Sequence, residues 1–159
     1  MDSHRKSRFI GVSLLLFTCL ATGAAGDNQC ESIDTQINST FSTPCSSPIG
    51  ICTTGTIASG LLKGTTSFTA VSLTPGPAQA PGTAVYTGNL SITTNQGTLN
   101  ISDVGVLDAT NNVFSEIDRI ESSTGIFFGA KGILFISGNQ TATGFTGKVT
   151  GSVCLQSEQ

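Results

Sequence analysis

The chain has 159 residues, and 7 Lys and Arg against 10 Asp and Glu give it a formal net charge of −3. Past residue 26 the basic side chains are scattered, so we expect no nucleic-acid partner, because a phosphate backbone requires a basic cluster. The one histidine is His4. The rest of the chain therefore cannot form a Ser-His-Asp or Cys-His catalytic set, or a zinc or iron site ligated by histidine.

The first 26 residues have the layout of a secretory signal peptide. Basic residues open the chain, an apolar run covers residues 9–20, and small residues follow. The apolar run is shorter than the ~20 residues that span a bilayer. We therefore predict a signal peptide over residues 1–26, secretion to the extracellular space or the periplasm, and no membrane span. A membrane anchor and a lipid anchor at Cys19 are the alternatives.

Residues 27–51 are polar and show little periodicity, so we predict an irregular N-terminal segment tethered by a disulfide. From residue 52 the composition changes to strand-forming residues punctuated by Gly, Asn and Pro, and we assign residues 52–156 to an antiparallel β-barrel. The predicted strands are, in chain order, 52–59, 64–73, 84–94, 98–106, 113–121, 126–128 continuing to 133–137, and 143–154. Tight turns between consecutive strands favour an up-and-down barrel.

Four cysteines follow the predicted signal peptide: Cys30, Cys45, Cys52 and Cys154. An even number in an exported chain predicts two disulfides. We favour Cys52–Cys154 with Cys30–Cys45, because the first and last strands of a closed barrel are neighbours. The alternative is Cys45–Cys52 with Cys30–Cys154. No metal site is expected, since the cysteines lack the paired spacing of zinc ligands.

Alternation along the predicted strands places several acidic side chains on the inward face. Tyr86, Asp103, Glu116 and Asp118 share the parity of apolar neighbours on their strands. Buried carboxylates are unfavourable unless they are hydrogen-bonded or functional. We therefore favour the interpretation that a bulge reverses the parity, or that these side chains bond to backbone at the barrel rim, over carboxylates that project into the barrel.

One glycine-rich segment carries a family resemblance. Thr124, Gly125, Phe127, Gly129 and Gly132 belong to a run that resembles the Thr-Gly-x-Phe-x-x-Ala-x-Gly segment of plant dirigent proteins. The same run resembles the Gly-x-Phe-x-Gly-x-x-Gly segment of allene oxide cyclases. Residues 97–105 and 114–116 are similar to exported bacterial members with the same barrel.

The resemblance implies an eight-stranded antiparallel up-and-down barrel, a homo-trimer, and no metal or organic cofactor. Allene oxide cyclases close a fatty-acid epoxide into a ring in an apolar tunnel, and dirigent proteins steer the coupling of phenoxy radicals. The chain departs from the dirigent pattern: Phe128 stands where those proteins have Arg, and Ser122 and Ser123 replace paired glycines. We therefore transfer the fold and no catalytic residue.

Three functions are consistent with the sequence. We favour an exported, non-catalytic barrel that binds a small apolar ligand or serves a surface or structural role. The second is a dirigent- or cyclase-like protein that acts on an apolar or aromatic substrate without a cofactor, with Asp103 or Glu116 as acid or base and Tyr86 as hydrogen-bond donor. The third is a solidly packed barrel with a protein partner, in which core positions are filled by Phe127, Phe128, Phe135 and Phe145.

Overall fold

A computed structural model describes residues 29–156, which form a closed antiparallel barrel of eight strands in sequential order. This confirms the all-β, up-and-down architecture. The strands are β1 Gln29–Phe41, β2 Cys52–Ile57, β3 Gly64–Pro75, β4 Thr83–Thr94, β5 Thr98–Asp108, β6 Val113–Ser123, β7 Lys131–Gln140 and β8 Gly144–Leu155. A short 3-10 helix, Gly125–Phe127, lies between β6 and β7. The predicted signal peptide lies outside the described residues.

The barrel begins earlier in the chain than the sequence analysis predicted. Residues 29–41, predicted to be irregular, form β1, which pairs with β8 from Gln29↔Leu155 to Thr40↔Gly144. Ile33, Thr35 and Ile37 point inward and are buried, whereas the residues between them are exposed. Only every second residue of this strand faces the core, so its composition is mostly polar and the strand was missed.

The favoured disulfide pairing was wrong, and the alternative is correct. Cys30 is bonded to Cys154, and Cys45 is bonded to Cys52. The argument that the first and last strands are neighbours was sound, but the first strand is β1, and Cys30 and Cys154 are cross-strand partners in it and β8. Two disulfides indicate an oxidising compartment.

The two ends of the barrel differ. The end formed by the β2–β3, β4–β5 and β6–β7 connections, here called the packed end, is filled by side chains that include Leu62 and Phe127, both fully buried. The predicted strand at residues 126–128 is instead the 3-10 helix, which turns Phe127 into the barrel and leaves Phe128 74% exposed. Gly125 has φ +63°, and an added Cβ would overlap backbone of residues 96 and 97, so glycine is required there.

The outer surface carries an apolar patch on three adjacent strands. Val104, Ile117 and Phe135 are direct cross-strand neighbours on β5, β6 and β7, and all three are exposed. Phe135 and Phe128 are therefore not core residues, which corrects the expectation for the packed-interior alternative. Within residues 29–156 no helix has the length and hydropathy that bilayer-spanning helices require.

The two disulfides are predicted to contribute unequally to stability. Cys30–Cys154 joins residues 124 apart, whereas Cys45–Cys52 joins residues 7 apart. Because the longer loop removes more entropy from the unfolded chain, Cys30→Ser with Cys154→Ser should lower the free energy of unfolding by about 4–5 kcal/mol. Cys45→Ser with Cys52→Ser should lower it by about 2–3 kcal/mol. Urea denaturation of both double variants makes the comparison, and equal losses would contradict it.

Candidate functional site

Acidic side chains do enter the barrel, as the alternation indicated, so the favoured interpretation of reversed parity or rim bonding was wrong. Asp103 is 2% exposed and Asp118 is fully buried, and the two are cross-strand partners on β5 and β6. Glu116 is half-buried on the same face of β6. A bulge does occur between these strands, at Glu121. It lies beyond Asp118 in the chain, so it leaves the parity of residues 114–120 unchanged.

An apolar cavity of about 80 Å³ opens at the other end of the barrel, here called the cavity end. This end carries the β1–β2, β3–β4, β5–β6 and β7–β8 connections. Most lining side chains are aliphatic or aromatic, and Tyr86 and Glu116 contribute a phenol hydroxyl and a carboxyl group to the lining. Near the rim the Phe145 ring meets Phe41 and Phe114 edge to face, with centroids 5.5 and 5.3 Å away. Phe114 and Phe145 line the cavity, and their rings give its entrance an aromatic wall.

The irregular segment 42–51 forms part of the cavity wall and is held in place. Ile49 and Ile51 line the cavity. The Ser47 hydroxyl donates to the Ala70 carbonyl at 2.6 Å, and the Ala70 amide donates to the Ile51 carbonyl at 3.0 Å. Together with the Cys45–Cys52 disulfide, these bonds fix the segment against β3, so this part of the cavity wall is held by the chain itself.

Tyr86 and Glu116 meet across an intervening strand. Tyr86 on β4 is the partner of Gly105 on β5, and Gly105 is the partner of Glu116 on β6. The tyrosine ring lies over Gly105, where an added Cβ would be 2.5 Å from Tyr86 Oη. The hydroxyl then donates to Glu116 Oε2 at 2.7 Å. Glycine at position 105 is therefore what allows the two side chains to bond.

A second glycine serves the neighbouring ring in the same way. An added Cβ at Gly88 on β4 would overlap the Phe68 ring of β3. Phe68 in turn packs edge to face on Tyr86, with centroids 6.3 Å apart. The two aromatic rings lying over two glycines thus form the floor of the cavity.

Asp103 and Asp118 lie behind this floor and have no hydrogen-bonding partner. Neither residue lines the cavity. None of their four carboxylate oxygens has a partner among the described residues. Carboxylate oxygens of Asp103, Glu116 and Asp118 lie within 4.8 Å of one another. The sequence analysis predicted no metal site, and the arrangement of these three side chains is one that could hold a cation.

Burial shifts the acid–base properties of the cluster strongly. Loss of hydration, with the negative charges of Glu116 and Asp118, raises the pKa of Asp103 from 3.8 to about 10. Loss of hydration and the charge of Glu116 raise the pKa of Asp118 to about 8. Burial also raises the pKa of Glu116, against the effect of the Tyr86 hydrogen bond, and raises the pKa of Tyr86. Without a cation, the fold favours protonated carboxyls at neutral pH.

The structure brings together the three candidate residues of the sequence analysis, Tyr86, Asp103 and Glu116, and adds Asp118 to them. It does not place the resemblance motif in this site, because residues 124–132 close the packed end instead. The sequence analysis missed the roles of Phe68, Gly88 and Gly105. The pattern that identifies these residues is a glycine on one strand beside an aromatic ring on the next, and it can be recognised only when the strand register is known.

A comparison of the chain with protein-family models, with curated proteins and with solved structures finds no match.

Replacing Gly105 is predicted to damage the floor of the cavity. In Gly105→Ala the new methyl group overlaps the Tyr86 ring, so the ring must move and the bond to Glu116 is lost. We expect the free energy of unfolding to fall by about 1–3 kcal/mol, as for overpacked cores. Urea denaturation measures the change. Ser115→Ala, at an exposed position of β6, is the control, and equal stability of the two variants would contradict the prediction.

Stability of the cation-free protein is predicted to fall as pH rises. The folded-state pKa values of Asp103 and Asp118 lie above the unfolded value near 3.8, so the folded state binds more protons than the unfolded state. The stabilising contribution of the two protonated carboxyls is complete below about pH 4. It decreases as the pH rises from there and is lost once the pH passes the folded-state pKa values of about 8 and about 10. Only Tyr86 and Glu116 are further titratable neighbours in the described interior.

The measurement is the melting temperature between pH 5 and pH 9 in a chelating buffer. In Asp118→Asn the amide cannot ionise, so the decline with pH should be shallower than in the wild-type protein. A melting temperature that stays constant or increases over this range would disprove the prediction.

Proposed function

We propose that the protein binds a small, mostly apolar ligand in the cavity end of the barrel, with one polar group of the ligand hydrogen-bonded to the Tyr86–Glu116 pair. The observation that carries the proposal is an apolar cavity whose lining presents a tyrosine hydroxyl and a carboxyl group that bond each other. Apolar walls with few converging polar groups are typical of small-molecule sites.

The size of the cavity limits how the ligand enters. Its volume of about 80 Å³ is roughly half that of an apolar cavity of about 150 Å³ that accommodates benzene. One end of a ligand therefore fits against Tyr86 and Glu116, and the remainder extends along the aromatic wall of Phe114 and Phe145 towards the rim. A slender chain or a single substituted ring matches this shape.

Catalysis is a second candidate, favoured by the position of Glu116. In this alternative, a dirigent- or allene-oxide-cyclase-like protein acts on an apolar or aromatic substrate without a cofactor. Of the two proposed acid or base residues, Glu116 lines the cavity, whereas Asp103 lies behind it. Glu116 would therefore be the group that contacts the substrate, and Tyr86 would donate a hydrogen bond. The binding function needs fewer assumptions, since no reacting group is defined.

Export and self-association belong to the same proposal. Two disulfides support an exported protein, in agreement with the signal-like residues 1–26. A homo-trimer, implied by the family resemblance, is supported by the exposed apolar patch of Val104, Ile117 and Phe135, because contiguous exposed apolar surface is typical of interfaces. Membership in the allene oxide cyclase and dirigent superfamily stays a prediction.

Native mass spectrometry of the purified protein tests the proposed function. The expected result is a non-covalent complex with a small molecule that is released on denaturation, and the mass of the assembly reports the number of subunits. An added single-ring alkylphenol should bind saturably and compete with that molecule. A protein that carries no small molecule and does not bind the alkylphenol would contradict a binding role.

Two variants connect binding to the floor of the cavity. Tyr86→Phe keeps the ring but removes the hydroxyl, which holds Glu116 in place and whose oxygen can accept a hydrogen bond from the ligand. Affinity for a ligand with a polar group should therefore fall roughly tenfold, or about 1.4 kcal/mol. Ser115→Ala, on the outer face of β6, should bind like the wild-type protein. Equal affinities in both variants would place the ligand elsewhere.

A further inference from the structure

The interior of the barrel contains three carboxyl groups and no basic side chain. All four Lys and Arg residues between positions 29 and 156 are exposed: Lys63, Arg119, Lys131 and Lys148. Among the described residues outside the cluster, Tyr86 is the one that donates a hydrogen bond to it, and it bonds a single oxygen, Glu116 Oε2. Charge compensation must therefore come from protons or from a cation that is not part of the chain.

We propose that Asp103, Glu116 and Asp118 form a binding site for one Ca²⁺ ion behind the floor of the apolar cavity. Two observations support this inference beyond the mere presence of acidic residues. Both oxygens of Asp103 and both of Asp118 are buried without a partner. One carboxylate oxygen from each of the three residues also lies within 4.8 Å of the other two.

The donor set and spacing suit calcium. All ligands are carboxylate oxygens, which hard divalent cations prefer. Two oxygens on opposite sides of a Ca²⁺ ion at about 2.4 Å are about 4.8 Å apart, so the observed spacing admits the ion. Asp103 and Asp118 supply up to four oxygens and Glu116 at least one more, and water completes the coordination shell of the ion. Mg²⁺ is less suitable, because it demands near-ideal octahedral geometry, whereas Ca²⁺ accepts irregular sets of mono- and bidentate carboxylates.

The site explains why the two aspartates lie beneath a tyrosine and a glutamate. An ion entering through the cavity end meets Glu116 first, since that residue lines the cavity, and then reaches Asp103 and Asp118. The bond from Tyr86 holds Glu116 over the site. Cation binding does not require that a ligand occupies the apolar cavity, so this inference stands or falls separately from the proposed function.

Terbium luminescence tests the inference, because the chain has one tyrosine and no tryptophan. Tb³⁺ resembles Ca²⁺ in its oxygen ligands and emits strongly when a nearby excited tyrosine transfers energy to it. Titration of Tb³⁺ into chelator-treated protein, excited at the tyrosine band, should give saturable emission at one ion per chain. Ca²⁺ should reverse the emission at lower concentration than Mg²⁺. Emission that does not saturate, or that Ca²⁺ leaves unchanged, would overturn the proposal.

Variants separate this site from adventitious surface binding. Asp118→Asn should weaken Tb³⁺ binding at least tenfold, whereas Glu31→Gln, at an exposed acidic residue of β1, should bind like the wild-type protein. The proposal would be overturned if both variants weakened Tb³⁺ binding equally, or if neither variant weakened it.

Thermal melting provides a measurement that does not depend on the folding of Asp118→Asn. In the wild-type protein at neutral pH, Ca²⁺ at about 100 times its dissociation constant should raise the melting temperature by roughly 10 °C, and a chelator should reverse the rise. Tyr86→Phe should lose the luminescence but keep a rise with Ca²⁺. An unchanged melting temperature in the wild-type protein would refute the site.

Discussion

The burial of three carboxyl groups at the centre of a small closed barrel is the constraint on which the rest of the structure depends. A carboxylate removed from water is unfavourable unless it gains a proton, a hydrogen bond or a counterion. Asp103 and Asp118 have no hydrogen-bonding partner among the described residues, so protonation or a bound cation must compensate them. Either solution makes the stability of this protein depend on solution conditions, which a purely apolar core would not do.

The strands surrounding this cluster are arranged to accommodate large rings beside it. A barrel of eight strands has an interior just wide enough for its side chains. Tyr86 and Phe68 fit because their neighbours on the next strands are Gly105 and Gly88. The space that those glycines leave allows the tyrosine hydroxyl to reach Glu116 across β5. The polar floor and the apolar cavity above it therefore have one structural cause.

The two ends of the barrel are held together in different ways. The packed end is closed by the turn that inserts Phe127, and the termini of the barrel are joined there by Cys30–Cys154. At the cavity end, Cys45–Cys52 and the backbone bonds to β3 hold a loop that forms part of the wall. One end is thus closed by packed side chains, while the other opens to Glu116, as the proposed binding function requires.

Much of the candidate site followed from local patterns. The alternation of β4, β5 and β6 predicted that Tyr86, Asp103, Glu116 and Asp118 face inward, because side chains of a strand point to opposite faces in turn. The bulge that was considered as an alternative exists, but it begins after Asp118, and only the paired strands reveal where it lies. The consequence of the inward parity, three carboxyl groups in one cluster, depends on the register between β5 and β6.

The sequence by itself determined the all-β class, the antiparallel up-and-down order and the approximate bounds of most strands, since these depend on local propensity, turn residues and period-two alternation. Tertiary structure alone decided the rest. β1 is recognisable through its pairing with β8, and the disulfide partners depend on that strand. The glycine-rich run at residues 124–132 could equally be a bent strand or a turn, and burial of Phe127 selects the turn. These features depend on contacts between residues far apart in the chain, to which local patterns are insensitive.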